Sequence, residues 1–248
     1  MHQRNRKIEG VILRKTNYGE ADLILTILTK EDGRLDCIAK GARRFKSRFS
    51  GRLGLFNQVQ LELFEGRSLH AVNEAELIDV TTNWDGDLEG SSVAFLLAEI
   101  TQKLLQPDQI IPGVYPLLMA TIALLAENRE PENILYAYFI QLFGLLGFMP
   151  SWQHCVLCDE KLNLDRSVHL DADSLSLHCR SCDSSGTPLQ TSLIKAIHFI
   201  QSYPLPESLK LDLEDERDAL WSWLTRVLAD LLNQPIRSLA FVEQLRSV

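Results

Sequence analysis

The sequence predicts an α+β protein in which an N-terminal β barrel precedes an all-α domain, and a four-cysteine insert interrupts that domain. Three observations lead to this prediction. Short runs of β-branched and aliphatic residues alternate with turn signals at the start of the chain. Apolar residues then recur at helical spacing, and two Cys-x-x-Cys pairs interrupt the helical pattern. The 248-residue chain is 46% hydrophobic and 23% charged, which excludes a disordered or fibrous protein.

The N-terminal part, residues 1–81, is predicted to hold five strands, at 8–16, 21–29, 34–39, 57–64 and 69–80. Asn17, Tyr18 and Gly19 form a turn after the first strand, and the fourth strand alternates apolar and polar residues. Five short strands in so few residues suit a small closed barrel, because an open sheet would leave long edges unpaired. An OB-like barrel is therefore predicted.

The remainder, residues 82–248, is predicted to form a helical domain. Ser91 and Ser92 are the expected caps of its first helix, which ends before Pro107. The other helices are predicted at 116–127, 132–147, 192–202, 215–232 and 237–246. The helix at 132–147 is apolar on almost all sides, so we expect it to lie at the centre of the domain.

The insert, at about residues 151–190, carries a zinc-ribbon pattern. Cys155 and Cys158 form one pair, and Cys179 and Cys182 form a second pair 20 residues later. Two such pairs supply the four thiolates of a closed tetrahedral zinc site, and a hairpin at 167–178 would connect them. Four cysteine ligands leave no position for a catalytic water, so the metal is expected to be structural. Two disulfides and chance clustering are the alternatives.

Three histidines and the fifth cysteine are not predicted to bind the metal. The histidines of the insert, His154, His169 and His178, are possible replacement ligands but are predicted to be surface residues. The fifth cysteine, Cys37, falls within a predicted strand and is expected to be a buried apolar side chain.

Charge is distributed unevenly along the chain. Residues 1–52 contain 13 basic and 6 acidic side chains, whereas the rest contains 12 basic and 27 acidic ones. Residues 40–52 hold six of the cations and no acid. Cations neutralise phosphates and aromatic rings stack on unpaired bases, so this segment predicts a nucleic-acid-binding surface. Its candidate residues are Lys40, Arg43, Arg44, Phe45, Lys46, Arg48, Phe49 and Arg52. The alternative is a solvated loop whose two aromatic rings pack inward.

Sequence motifs for catalysis and targeting are lacking. The chain has no phosphate-cradling glycine loop, no HExxH and no GxSxG motif, so we expect no enzyme activity. The polar, basic N-terminus resembles no secretory signal, and the most apolar stretch, residues 134–149, is too short for a membrane span. A cytoplasmic protein is therefore expected.

Several segments together resemble the RecO family of bacterial recombination mediators. The resemblance lies in NYGEADLILTILTKEDGRL at 17–35, KGARRFKSR at 40–48, the two cysteine pairs, and IRSLAFVEQL at 236–245. It implies an OB fold, a helical C-terminal domain and a zinc element. It also implies that the protein binds single- and double-stranded DNA and anneals complementary strands. The resemblance further implies that, with RecR, the protein helps to load RecA onto DNA coated by single-strand-binding protein, in the RecF pathway at the nucleoid.

Two alternative functions remain from the sequence, and one of them, a zinc hydrolase, would be excluded by a metal site with four thiolates and no bound water. An OB barrel combined with a zinc ribbon is also typical of interaction modules that bind RNA or a transcription or translation partner. Acceleration of DNA strand annealing distinguishes such a module from the mediator, because only the mediator is expected to show it.

Overall fold

The computed structural model describes residues 5–66, 69–80, 87–127, 130–149, 154–163, 168–171, 176–182, 191–232 and 234–246. The N-terminal part forms a closed barrel of five strands in the order β1-β2-β3-β5-β4. These strands are β1 (Asn5–Tyr18), β2 (Asp22–Thr29), β3 (Arg34–Ala39), β4 (Asn57–Phe64) and β5 (His70–Val80). Neighbouring strands are antiparallel except β3 and β5, which pair in parallel. The five predicted strands are thus confirmed, but the turn predicted at Asn17 and Tyr18 is wrong, because both residues belong to β1 and pair with β2.

Alternation along the strands fills the barrel with apolar side chains. In β4, Val59, Leu61 and Leu63 are fully buried, and the polar residues between them are partly exposed. Cys37 on β3 belongs to the same core, as predicted, and burial raises the pKa of its thiol to about 12. This thiol is therefore an inert packing group.

From residue 87 onward, the described residues form helices and one hairpin. Its helices are α1 (Leu88–Leu104), α2 (Val114–Ala126), α3 (Pro131–Leu146), α4 (Thr191–Ser202), α5 (Leu205–Ser208), α6 (Arg217–Leu232) and α7 (Arg237–Arg246). The hairpin strands are β6 (Val168–Asp171) and β7 (Ser176–Cys179). Ten of the sixteen residues of α3 are buried, which confirms its expected central position.

The predicted capping of α1 is wrong. Asp87 is the N-cap, and its carboxylate accepts the N–H of Gly90 at 2.8 Å. Ser91 and Ser92 lie inside the first turns, where their hydroxyls donate to the carbonyl of Leu88. The short helix α5 was not predicted either, because a four-residue helix shows no periodicity.

Contacts divide the chain into two compact units. The first comprises Met1–Arg129 with Ile236–Val248, and the second comprises Glu130–Pro235. In the first unit, α1 and α2 pack with the barrel, and the Glu99 carboxylate on α1 accepts the N–H groups of Arg237 and Ser238 at the start of α7. The domain boundary predicted between residues 81 and 82 lies outside the described residues and stays a prediction. Among the described residues, no helix has the length and apolar character needed to cross a membrane.

Candidate nucleic-acid interface and metal centre

The basic loop, residues 40–52, follows β3 and is held to the barrel by apolar anchors. Phe49 and Leu53 are buried in the barrel core, and Phe56 is buried just before β4 begins. Backbone hydrogen bonds fix both ends of the connection: the N–H of Arg43 donates to Ala21 at 2.8 Å, and that of Phe56 donates to Ile12 at 2.8 Å. The loop is therefore a series of turns with a fixed path along the barrel.

All six cations of the basic loop are exposed to solvent. None forms an ion pair with a carboxylate of the described residues. The side chains of Lys40, Arg44 and Lys46 also make no hydrogen bond within the described part of the chain. The loop therefore presents concentrated positive charge whose side chains form no ion pair among the described residues, and such a surface attracts a polyanion.

Three arginines of the loop make limited contacts with the barrel and the loop itself. The Arg43 guanidinium donates to the carbonyl of Gly19 at 3.3 Å, and that of Arg48 donates to Val72 at 3.4 Å. Arg52 donates to the carbonyl of Arg48. These bonds are to neutral carbonyl oxygens, so the guanidinium groups keep their net charge.

The two aromatic residues of the loop differ in exposure. Phe45 is 99% exposed, which leaves both faces of its ring open. Phe49 is 2% exposed within the barrel core, and the Arg48 guanidinium lies 4.9 Å from its ring centroid. The base-stacking role predicted for Phe49 is therefore not supported, because its ring is already packed. Phe45 keeps that predicted role.

A neighbouring element was not recognised from the sequence. Residues 14–20, in the hairpin formed by β1 and β2, are all exposed, and they include Arg14, Lys15 and Tyr18. The signal is visible in retrospect, because the apolar run of β1 stops at Leu13 although the strand continues to Tyr18. A strand end of five residues without a buried side chain points to an exposed surface.

The four cysteines of the insert come together at a second candidate site. The Sγ atoms of Cys155, Cys158, Cys179 and Cys182 all lie within 4.8 Å of one another. The Sγ atoms of Cys158 and Cys179 are 3.7 Å apart. A tetrahedral site with Zn–S bonds of about 2.3 Å has sulfur–sulfur edges of about 3.8 Å. The donor set and its spacing thus fit a divalent metal ion with four thiolate ligands.

The local backbone produces this arrangement. The N–H of Val156 donates to Leu177 on β7 at 3.1 Å, which fastens the first cysteine turn to the hairpin. Asp159 has a φ of 59° and ends that turn, and its N–H donates to the carbonyl of Cys155 at 2.9 Å. Strands β6 and β7 match the predicted hairpin closely.

Charge within the cluster also favours a bound cation. Burial raises the pKa of Cys155, but the N–H groups of Cys179, Cys158 and Leu157 outweigh it and lower the pKa to about 6. Hydrogen bonds with the thiols of Cys158 and Cys179 raise the pKa of Cys182 to about 12. One thiolate therefore forms readily, whereas four negative sulfurs need a cation among them.

The histidines of the insert lie outside this cluster. His154 is exposed, as predicted. His169 and His178 are buried, so their predicted surface position is wrong. They occupy opposite positions in the β6–β7 register, which places both imidazoles on one face of the hairpin. The metal-binding cluster found among the described residues consists of cysteines alone.

Comparison with known proteins shows similarity over nearly the whole chain. Residues 1–81 match the family model described as "Recombination protein O N terminal", and residues 85–240 match "Recombination protein O C terminal". The chain belongs to the RecO family. It is 29% identical to the "DNA repair protein RecO" of Thermoanaerobacter sp. (strain X514), with 98% of each chain covered. It is 30% identical to that of Roseiflexus sp. (strain RS-1), covering 100% of this chain and 88% of the relative.

A third RecO relative is more similar over a shorter part. The "DNA repair protein RecO" of Bifidobacterium adolescentis is 36% identical over 175 residues, which cover 69% of this chain and 71% of the relative. The resemblance inferred from the sequence segments is therefore confirmed at the level of the family.

Proposed function

We propose that this protein is a DNA repair and recombination mediator that binds DNA through the basic loop. The observation that carries the proposal is a set of six exposed cations on a loop anchored to a small closed barrel. None of these cations forms an ion pair with a carboxylate of the described residues. Membership of the RecO family, whose curated relatives are named DNA repair proteins, agrees with it. No catalytic step is part of the proposal.

We further propose that the barrel is an OB fold. The support is its five strands, their order β1-β2-β3-β5-β4 and the closure between β1 and β4. Loops and outer strand faces of such barrels are common sites for oligonucleotides. The position of the basic loop, packed against the barrel through Phe49 and Leu53, suits that use.

The metal proposed for the cysteine cluster is a structural zinc ion. Cys155, Cys158, Cys179 and Cys182 would hold it, and its role would be to join the two cysteine turns to the β6–β7 hairpin. Soft thiolate donors in a four-sulfur set favour zinc over harder cations such as magnesium. A closed set of four ligands leaves no open position for chemistry.

Partners of the mediator are proposed on the same family basis: RecR, the C-terminal tail of single-strand-binding protein, and RecA indirectly. The second compact unit offers the tail an apolar surface. Leu145, Phe148 and Tyr203 are exposed at the C-terminal ends of α3 and α4, and the Gln141 side chain joins these two helices by donating to the carbonyls of Ile200 and Tyr203. An acidic peptide with an apolar end would bury that end here.

Strand annealing tests the proposed function. Two complementary DNA oligonucleotides, one carrying a fluorophore and the other a quencher, should anneal faster with the protein than without it. The Lys40→Ala, Arg44→Ala, Lys46→Ala triple variant should lose most of this acceleration, because those cations have no other partner among the described residues. Binding of RNA or protein without acceleration of DNA annealing would favour the interaction module instead.

A further inference from the structure

We propose that the hairpin formed by β1 and β2 is a second arm of the DNA-binding surface, with Tyr18 stacking on a base of single-stranded DNA. Arg14 and Lys15 would bind its phosphates. This inference rests on the proposed DNA binding by the basic loop. It adds residues outside that loop and a preference for unpaired strands.

The outer end of β1 extends past its pairing with β4, while β2 opposite it stays paired with β3. β1 pairs with β4 only from Asn5 to Val11, whereas its pairing with β2 continues to Tyr18. The irregularity between Ile12 and Arg14 marks the point where the strand leaves the core. Burial ends at the same point, because residues 8–13 are buried or half-buried and residues 14–20 are exposed. The last five residues of β1, 14–18, therefore contribute nothing to the barrel core.

Hydrogen bonds join this hairpin to the basic loop. The N–H of Arg43 donates to Ala21 at 2.8 Å, and its guanidinium donates to Gly19 at 3.3 Å. The N–H of Gly41 donates to the Asp22 carboxylate at 2.7 Å. The turn between β1 and β2 and the start of the basic loop therefore form one continuous surface within the first compact unit.

The chemistry of this surface matches single-stranded nucleic acid. Tyr18 is 53% exposed next to the Gly19 carbonyl that Arg43 contacts, and Phe45 is two residues beyond Arg43. Two exposed aromatic rings thus flank the joined region, and every nucleotide base has a face that can stack on such a ring. Residues 14–20 contain two cations, Arg14 and Lys15, and one carboxylate, Glu20. Stacking needs an unpaired base, so the rings should favour single strands over duplex.

Substitution of Tyr18 tests the inference in the full-length protein. Tyr18→Ala should weaken binding to a fluorescent single-stranded oligonucleotide by about 5- to 150-fold, because a stacked aromatic ring contributes that much per base. Affinity for duplex DNA should stay within about twofold, since stacked bases do not reach the ring. Tyr18→Leu should behave like Tyr18→Ala, and Tyr18→Phe should bind like the wild type. Phe241→Ala, which removes an exposed aromatic ring from α7, is the matched control.

The salt dependence separates stacking from charge. Tyr18→Ala should leave the log–log salt slope unchanged, whereas Arg14→Ala with Lys15→Ala should flatten it by about 1.4 on single strands. If both hairpin variants bind like the wild type while the Lys40, Arg44 and Lys46 triple variant binds weakly, the hairpin is not part of the site. Its cations would then serve only to protect a strand edge from pairing with other chains. If the wild-type protein does not bind DNA at all, the proposed function itself fails.

Discussion

Phe45 and Phe49 should respond to alanine substitution in opposite ways. Phe49 is 2% exposed in the barrel core, so Phe49→Ala removes a fully packed ring and should destabilise the first compact unit by about 3–5 kcal/mol. Loss of the Arg48 contact with the ring adds to this cost. Phe45 is 99% exposed, so Phe45→Ala should change the free energy of unfolding by less than about 0.5 kcal/mol.

Thermal melting followed by circular dichroism measures the difference. At about 2–4 °C per kcal/mol, Phe49→Ala should lower the Tm of the unit that contains the barrel by roughly 6–20 °C. Phe45→Ala should melt with the wild type but bind single-stranded DNA about 5- to 150-fold more weakly. Phe49→Leu is the control that keeps an apolar side chain in the core, and its Tm should lie between those of Phe49→Ala and the wild type. A wild-type Tm for Phe49→Ala would refute the packing described here.

Three further predictions concern the metal cluster, the C-terminal helix and the second unit. Metal analysis should find about one zinc per chain in the wild type and in the control Cys37→Ala, and almost none in Cys158→Ser. The helical core of Cys158→Ser should still melt cooperatively. Four free thiols without metal in the wild type would contradict this prediction. Burial raises the pKa of Glu99, but its hydrogen bonds to Ser238 and Arg237 outweigh burial and lower it. The ionised Glu99 therefore stabilises the fold above the ordinary carboxyl pKa, and this stabilisation is lost as the pH falls through the lowered pKa of Glu99. Thermal melts at several pH values should show that Glu99→Gln lowers the free energy of unfolding by about 1 kcal/mol at neutral pH and leaves it unchanged in acid. An equal loss at both pH values would argue against this capping role. A labelled acidic peptide with an apolar C-terminus should bind the full-length protein more weakly after Tyr203→Ala, and unchanged binding would place its site elsewhere.

Much of the fold follows from local sequence signals. The five strands were predictable because alternation and turn residues set their limits, and the cysteine spacing indicated the cluster and its hairpin. Periodicity also located the long helices to within a few residues. Each of these features follows from residues close in sequence or from a characteristic spacing, so the sequence alone predicts it.

What the sequence did not reveal depends on distant contacts. Phe45 and Phe49 stand four residues apart in the same basic segment, and only the packing of the loop against the barrel separates an exposed ring from a buried one. The burial of His169 and His178 likewise requires the hairpin to pack on one face. The sequence predicts Tyr18 only as a turn residue. The hydrogen bonds of Arg43 that join its hairpin to the basic loop are visible in the structure alone.

The central claim is that the basic loop binds DNA phosphates, and the salt dependence of single-stranded DNA affinity tests it most directly. Lys40→Ala, Arg44→Ala and Lys46→Ala together remove three contacts, which should flatten the log–log slope by about 2. If the two proteins bind equally at 1 M salt, this difference in slope gives a loss of affinity of about 500-fold at 50 mM salt and about 30-fold at 200 mM. The control variant Lys195→Ala, Lys210→Ala, Arg226→Ala changes the net charge equally by removing exposed cations of the second unit, and it should bind like the wild type. Equal slopes for the loop variant and the wild type would contradict the account.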